Sequence, residues 1–210
     1  MNREFRAAVD GLVDRLDWRK GGGLLPAIIQ DHTSGGVLML GYMNREALLK
    51  TAEVGQVTFY SRSKDRLWTK GETSGNHLTP CTVLTDCDQD ALLIGALPAG
   101  PVCHTGLPGC FGEEAAAGLG FPGRLDRLIA RRKAERPADS YTTKLFNAGI
   151  HRMAQKVGEE GVEVALAAKD DDDQEFLGEA ADLLYHLLVL LRGKDKGLRD
   201  VVDILVRRHS

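Results

Sequence analysis

What the chain lacks narrows the field first. It has no excess of one charge: 27 lysines and arginines face 30 aspartates and glutamates, a net charge of -3, so no global basic field points to nucleic acid. It has no apolar run of membrane length. The longest, LLYHLLVLL over 183–191, is interrupted by His186 and falls far short of the roughly 20 residues a span needs. The N-terminal MNREFRAAVDGLVDRLDW carries charges throughout, which excludes the apolar core of a signal peptide. Phe5, Val9, Leu12, Val13 and Leu16 predict an amphipathic helix there instead. A cytoplasmic protein is expected. Cysteine is scarce, four in 210 residues, and in that compartment thiols or metal ligands are expected rather than disulfides. No internal repeat is visible, and the low-complexity aspartates at 170–173 read as a solvated loop between two helices.

What is there divides in two. At 210 residues and 43% apolar composition, the chain suits one large domain or two small ones, and a change of texture favours two. From 24 to about 97 the sequence reads as short β-rich runs between turn signals: LLPAIIQ, GGVLML, QVTFYS, HLTPCTVLTDC and ALLIGAL, with a helical insert at NREALLKTAEV. This predicts an α+β N-terminal domain over 1–112. From Phe121 onward, RLDRLIARRKAE, KLFNAGIHRMAQKVGEEGVEVALAAK, DQEFLGEAADLLYHLLVLLRG and GLRDVVDILVRRH carry apolar residues at helical spacing, predicting an all-α domain over 123–210. GEEAAAGLGFPG, Gly-rich and small, supplies a linker at 113–122.

The first cluster with chemistry is Asp86-Cys87-Asp88-Gln89-Asp90. Extended backbone sends alternate side chains to opposite faces, which would gather three carboxylates on one side and aim Cys87 the other way. Hard oxygen donors suit Mg²⁺, whereas a thiolate suits zinc and needs further thiols, which Cys103 and Cys110 can supply. A calcium loop of the EF-hand type is excluded, because Ala91 stands where Gly is needed and Leu97 where Glu is needed. A solvated acidic turn and buried apolar cysteines are the plainer alternatives, and the cysteine spacings match no zinc-finger pattern. What favours a site is Gly-Pro-Val-Cys-His-Thr-Gly, which sets His104 beside Cys103 in a turn-rich segment, a candidate general base.

The helical half carries Glu159, Glu160 and Glu163 on one predicted helix and Glu179 and Asp182 on the next. Residues three and four apart share a helix face, so Glu159 or Glu160 pairs with Glu163, and Glu179 with Asp182. Val162, Val164, Leu166, Leu183, Leu184 and Leu187 crowd both helices, so part of the acidic surface is expected near the core, where unpaired carboxylates are expensive. A divalent cation removes that cost and makes a site for attack on a phosphoanhydride.

These segments resemble known families. Residues 24–112 resemble phosphoribosyl-AMP cyclohydrolase through LLPAIIQD, VLMLGYMNREAL, FYSRS, LWTKGETSGN, DCDQDALL and GPVCHTG ending in Cys110-Phe111. Residues 123–208 resemble phosphoribosyl-ATP pyrophosphohydrolase, one of the all-α nucleotide pyrophosphohydrolases, through SYTTKLF, KVGEEGVEV and EAADLLYHLLVLL. Together they resemble the bifunctional family of histidine biosynthesis. The segment HLTPC at 77–81 departs from the pattern, and Cys81 has no counterpart in it.

The resemblance implies Mg²⁺ on Asp86, Asp88 and Asp90 and Zn²⁺ on Cys87, Cys103 and Cys110, with Cys87 reaching the zinc of a partner in a homodimer. Three thiolates leave zinc a fourth position for water, whose pKa can fall toward ~7, and His104 would take its proton. The cyclohydrolase adds water at C6 of the adenine ring of phosphoribosyl-AMP and breaks the bond to N1. Ser61, Arg62, Lys70, Thr73 and Ser74 would hold phosphates and ribose. In the helical domain, Mg²⁺ on Glu160, Glu163, Glu179 and Asp182, beside Glu159, would act on the α-β phosphoanhydride of phosphoribosyl-ATP, with Lys144, Arg152 and Lys156 as phosphate partners. Two rival readings stand beside this: a house-cleaning nucleotide pyrophosphatase, and a structural zinc module in which Cys81 is a fourth ligand.

Overall fold

The computed structural model describes residues 3–112, 120–169 and 171–209. The chain divides into two compact units, Met1–Phe121 and Pro122–Ser210. Most of the expected linker, 113–119, lies outside the described residues. Among the described residues, no helix is long and apolar enough to cross a membrane.

The first unit opens with α1 (Arg3–Leu12), which buries Phe5, Val9 and Leu12 at helical spacing. Val13 and Leu16 extend that buried stripe. The strand β1 (Leu25–Asp31) alternates buried and half-buried residues along its whole length and pairs antiparallel with β2 (Val37–Met43). Asn44 caps α2 (Arg45–Val54) by accepting the Ala47 N–H, and Gly55, at φ 69°, ends it. A separate hairpin joins β3 (Thr58–Ser61) to β4 (Arg66–Thr69), a short strand that the charged SRSKDR segment hides from pattern reading. Then β5 (Leu78–Thr85) and β6 (Leu92–Pro98) pair antiparallel, and β6 lies parallel to β1, giving the sheet order β2-β1-β6-β5. The register Ala27↔Leu92 sets the β5–β6 turn beside the chain that enters β1, which is how 17–23 comes to meet 86–90.

The second unit is helical: α3 (Phe121–Glu135), α4 (Tyr141–Ala148), α5 (Ile150–Ala167), α6 (Asp173–Gly193) and α7 (Leu198–His209). Apolar spacing over 144–169 predicts one continuous helix. The chain instead breaks at Gly149, whose φ of 86° and ψ of 177° lie in a region open essentially to glycine alone. The aspartate run is more than a solvated loop: Asp172 caps α6 by accepting the N–H groups of Gln174 and Glu175, while Asp170 lies outside the described residues. Ile129, Leu145, Phe146, Met153, Leu188 and Val189 form the core. Fully buried Asp126 takes both Nε and Nη2 of Arg192 and the N–H of Leu198, tying α3 to α6 and α7. Removing one partner of such a pair strands a charge, at a cost of ~3–5 kcal/mol. The crowding expected around α5 and α6 holds in part: Val164, Leu183 and Leu187 are half-buried and Glu160 is buried, whereas Val162, Leu166 and Leu184 are exposed.

Candidate active sites and metal centres

The acidic pentapeptide is not a strand. β5 ends at Thr85, Gln89 has φ 64°, and 86–91 is the turn that leads into β6. Asp86 closes this turn by accepting the N–H groups of Asp90 (3.0 Å) and Ala91 (3.1 Å). Partial desolvation pushes its carboxyl up, but those two N–H groups, together with hydrogen bonds from the Asp90 and Asp88 side chains, hold Asp86 below the usual carboxylate range. The carboxylates of Asp86, Asp88 and Asp90 do converge, one oxygen of each lying within 4.8 Å of the others. The cause is turn closure rather than strand alternation. Cys87 accordingly does not point away, since its Sγ lies 3.9 Å from an Asp88 oxygen.

A residue that motif reading passed over completes this cluster. The ammonium of Lys20 sits on Asp88 and lies 2.5 Å from Asp90. The segment carrying it is built for the position. Asp17 N–H donates to Gln89 O at 2.8 Å, and the Asp17 carboxylate accepts the N–H groups of Arg19 and Lys20. Both carboxylates push the Lys20 amine well above the ordinary lysine value. A cation therefore already stands among the aspartates, and hard oxygens at this spacing fit Mg²⁺ as the donor chemistry requires.

Cys103 and Cys110 are neighbours in the loop that follows β6. The Cys110 N–H is pinned to Leu38 O of β2 at 2.7 Å. The Thr105 hydroxyl donates to Cys103 Sγ at 3.0 Å and, with the Thr105 N–H, holds that thiol below its usual range. Burial, then the charge of Cys103, push the Cys110 thiol up. His104 is exposed, its Nδ1 3.8 Å from Cys103 Sγ. Two thiols, one biased toward thiolate, suit a soft cation. Among the described residues Cys87 does not gather with them into a three-ligand group. Cys81 sits at the irregularity between Pro80 and Thr82 in β5, its Sγ 3.7 Å from Thr79 O.

The predicted phosphate ligands lie on the second hairpin and the loop after it. The Arg62 guanidinium stacks 3.8 Å over the Tyr42 ring, and Lys70 Nζ stands 5.8 Å from the Trp68 ring. The Lys70 charge also bears on Cys110, in the direction that favours the thiolate. Ser61 closes β3, and the Ser74 hydroxyl accepts the Asn76 N–H. Thr73 occupies the same turn-rich loop.

In the helical unit, Glu160 of α5 meets Glu179 and Asp182 of α6, one oxygen of each within 4.8 Å. Glu160 is only 4% exposed. Lys156 Nζ lies 2.5 Å from it and 3.1 Å from Glu159, and this ammonium holds both carboxyls below the usual range. Glu159 is turned to Arg152 (3.2 Å), Gln155 (2.8 Å) and Lys156, so Glu160 is the one that joins the cluster. Glu163 behaves oppositely: desolvation, then the negative charge of Glu160, push its carboxyl up. Arg152 and Lys156 thus serve as counter-ions here, while Lys144 stands exposed on α4. His186, previously visible only as a break in an apolar run, lies with Nε2 3.6 Å from Glu160. Its position four residues after Asp182 on α6 is the signal that would have found it.

Comparison with known families sets the class of protein first. A phosphoribosyl-AMP cyclohydrolase model matches residues 39–112 and a phosphoribosyl-ATP pyrophosphohydrolase model matches 123–209, so a sheet-based cyclohydrolase domain precedes an all-α pyrophosphohydrolase domain. Whole-chain relatives narrow this. The histidine biosynthesis bifunctional protein HisIE of Xanthomonas campestris pv. campestris is 59% identical over 210 residues, covering 100% of both chains. The proteins of the same name from Salmonella typhimurium (56% identical, 93% of this chain and 96% of that one) and Photobacterium profundum (53%, 95% and 99%) are similar throughout. The chain belongs to this bifunctional HisIE family.

Proposed function

We propose that the helical domain hydrolyses phosphoribosyl-ATP to phosphoribosyl-AMP and pyrophosphate at Glu160, Glu163, Glu179 and Asp182. The sheet domain then adds water to C6 of the adenine ring of that product, and the C6–N1 bond breaks. One observation carries the assignment: each unit has its own three-carboxylate cluster, and the sheet unit separately gathers two thiols and an exposed histidine, Cys103, Cys110 and His104, in the loop after β6.

In the helical domain desolvation and the negative charge of Glu160 raise the proton affinity of the Glu163 carboxyl, and it removes the proton from water attacking at the α–β phosphoanhydride. Lys156 and Arg152 exchange their carboxylate partners for the departing pyrophosphate, joined by Lys144. In the sheet domain His104 takes the proton of the attacking water and returns it as the ring opens. Arg62 and Lys70, with Ser61, Thr73 and Ser74, hold phosphates and ribose. Magnesium on the carboxylates would neutralise phosphate charge, and zinc on the thiols would act as a Lewis acid toward water. Cys103 and Cys110 supply two thiolates and Cys87 of a second chain the third, which makes the working unit a homodimer acting in the cytoplasm.

The test is a coupled assay on the full chain supplied with Mg²⁺ and Zn²⁺, fed phosphoribosyl-ATP, with pyrophosphate and ring opening followed together. Stoichiometric appearance of both is expected. Pyrophosphate without ring opening would remove the cyclohydrolase assignment. Preference for ordinary nucleoside triphosphates over phosphoribosyl-ATP would make the helical domain a house-cleaning enzyme.

A further inference from the structure

His186 is the least explained polar group in the helical domain. It lies in the apolar run 183–191, is 4% exposed, and has core residues Leu188 and Val189 just beyond it. Its Nδ1 is buried and has no hydrogen-bond partner among the described residues, a cost that a leucine at the same place would not carry. Its Nε2 faces Glu160 Oε1 at 3.6 Å, just beyond hydrogen-bond range. That oxygen is already taken by Lys156 at 2.5 Å. Rings on two sides fix the imidazole: Tyr185 and Tyr141 meet it edge-on, with centroids 5.2 and 6.0 Å away. Tyr185 is itself held by the Thr142 hydroxyl at 2.8 Å, which also accepts from Arg132.

We propose that His186 is a positioning residue which takes over Glu160 when a divalent cation displaces the Lys156 ammonium. The inference rests on the proposed metal site at Glu160, Glu179 and Asp182. The tautomer with hydrogen on Nε2 aims a donor at the carboxylate and leaves Nδ1 a bare acceptor, cheaper to bury unpaired than an N–H. Once Lys156 leaves, the contact closes to an ordinary hydrogen bond and fixes one Glu160 oxygen. A carboxylate so anchored presents its other oxygen without rotating. Support of this kind typically changes metal affinity about 10- to 100-fold. Glu179, Asp182 and His186 follow one another at i, i+3 and i+7 on α6, so ligands and support share one helix face.

The probe is Mn²⁺, titrated by spin resonance into the full chain carrying Asp88→Asn and Asp90→Asn, so that the helical cluster alone reports. His186→Gln keeps an amide donor near the Nε2 position, whereas His186→Asn sets its donor too far from Glu160. The Gln variant is expected to bind Mn²⁺ within about threefold of the parent and the Asn variant at least about tenfold more weakly. In chains with the aspartates intact, the Asn variant should need more Mg²⁺ for half-maximal pyrophosphate release yet reach nearly the parent kcat. Near-parent kcat for pyrophosphate release at saturating Mg²⁺, with a parent-like helical circular-dichroism signal, reports that the helical domain of these chains is folded. Equal Mn²⁺ affinity in the two variants, whether both weak or both strong, overturns the proposal. Absence of Mn²⁺ binding in the parent chain overturns the metal site on which it rests.

Discussion

Lys20 Nζ stands 2.5 Å from Asp90, although no motif joins the two and Lys20 precedes the matched cyclohydrolase segment at 39–112. A divalent cation entering the aspartate turn must displace this ammonium.

Lys20→Gln should therefore tighten Mg²⁺ or Mn²⁺ binding to the sheet domain, by about threefold to tenfold, since exposed ion pairs are individually weak. Arg19→Gln, one residue away and outside the cluster, controls for the general loss of positive charge. Calorimetric titration of chains carrying Asp182→Asn would isolate the sheet site. An equal gain from Arg19→Gln, or weaker binding in Lys20→Gln, would show that Lys20 is not the competitor.

Distinct clusters in distinct domains should fail separately. Glu163→Gln or Asp182→Asn is expected to reduce pyrophosphate release by about two orders of magnitude or more, the usual contribution of a positioned acid-base group. Ring opening of supplied phosphoribosyl-AMP should stay near the parent rate. Loss of both activities from one such substitution would mean a single shared site.

The thiols should separate by pH in the metal-free protein. The Thr105 hydroxyl and N–H favour the Cys103 thiolate, so its folded pKa lies below the ordinary value of about 8.5. Alkylation, which follows the thiolate fraction, should thus reach half its maximum at lower pH for Cys103 than for an ordinary thiol. Burial works the other way at Cys110, which should need higher pH. Site-resolved mass spectrometry of iodoacetamide-treated protein would read both midpoints. Thr105→Val should move Cys103 upward, and an unmoved midpoint would remove the hydroxyl as the cause. Cys103→Ser and Cys110→Ser should also lower bound zinc, whereas Cys81→Ser, at a strand irregularity, should not.

Much of this was legible in the chain because local periodicity declares itself. The β-rich run LLPAIIQ became β1, and the helical stripe of Phe5, Val9 and Leu12 became α1. The acidic triplet was legible as a set of residue types, but not the reason it converges. Turn closure depends on where β5 and β6 pair, which the pentapeptide does not encode. Lys20 was invisible for a related cause: it reaches Asp88 only because β1 and β6 lie parallel, across a separation of 68 residues. Gly149 stood in plain view, yet glycine within an apolar helical pattern is ambiguous until its φ is known. The choice of Glu160 over Glu159 turned on which carboxylate Arg152 and Gln155 captured, a matter of side-chain competition beyond any spacing rule.

The shared zinc site can be tested by mixing two inactive chains. Within one chain Cys87 does not gather with Cys103 and Cys110, so the third thiolate is expected from a partner. A Cys87→Ser chain keeps its own Cys103, His104 and Cys110 but offers its partner no thiol. A His104→Ala chain keeps Cys87 and lacks the proton carrier. Co-expressed, they form mixed dimers in which one site joins an intact Cys87 to an intact His104 loop, while the other carries both defects. Half the sites of a mixed dimer recover, and random assembly makes about half the dimers mixed, so ring opening should return to about a quarter of the parent activity. Pyrophosphate release, which needs neither residue, should be unchanged in every mixture. Mixed dimers confirmed by native mass spectrometry, but no more active than the separate variants, would place Cys87 in the service of its own chain.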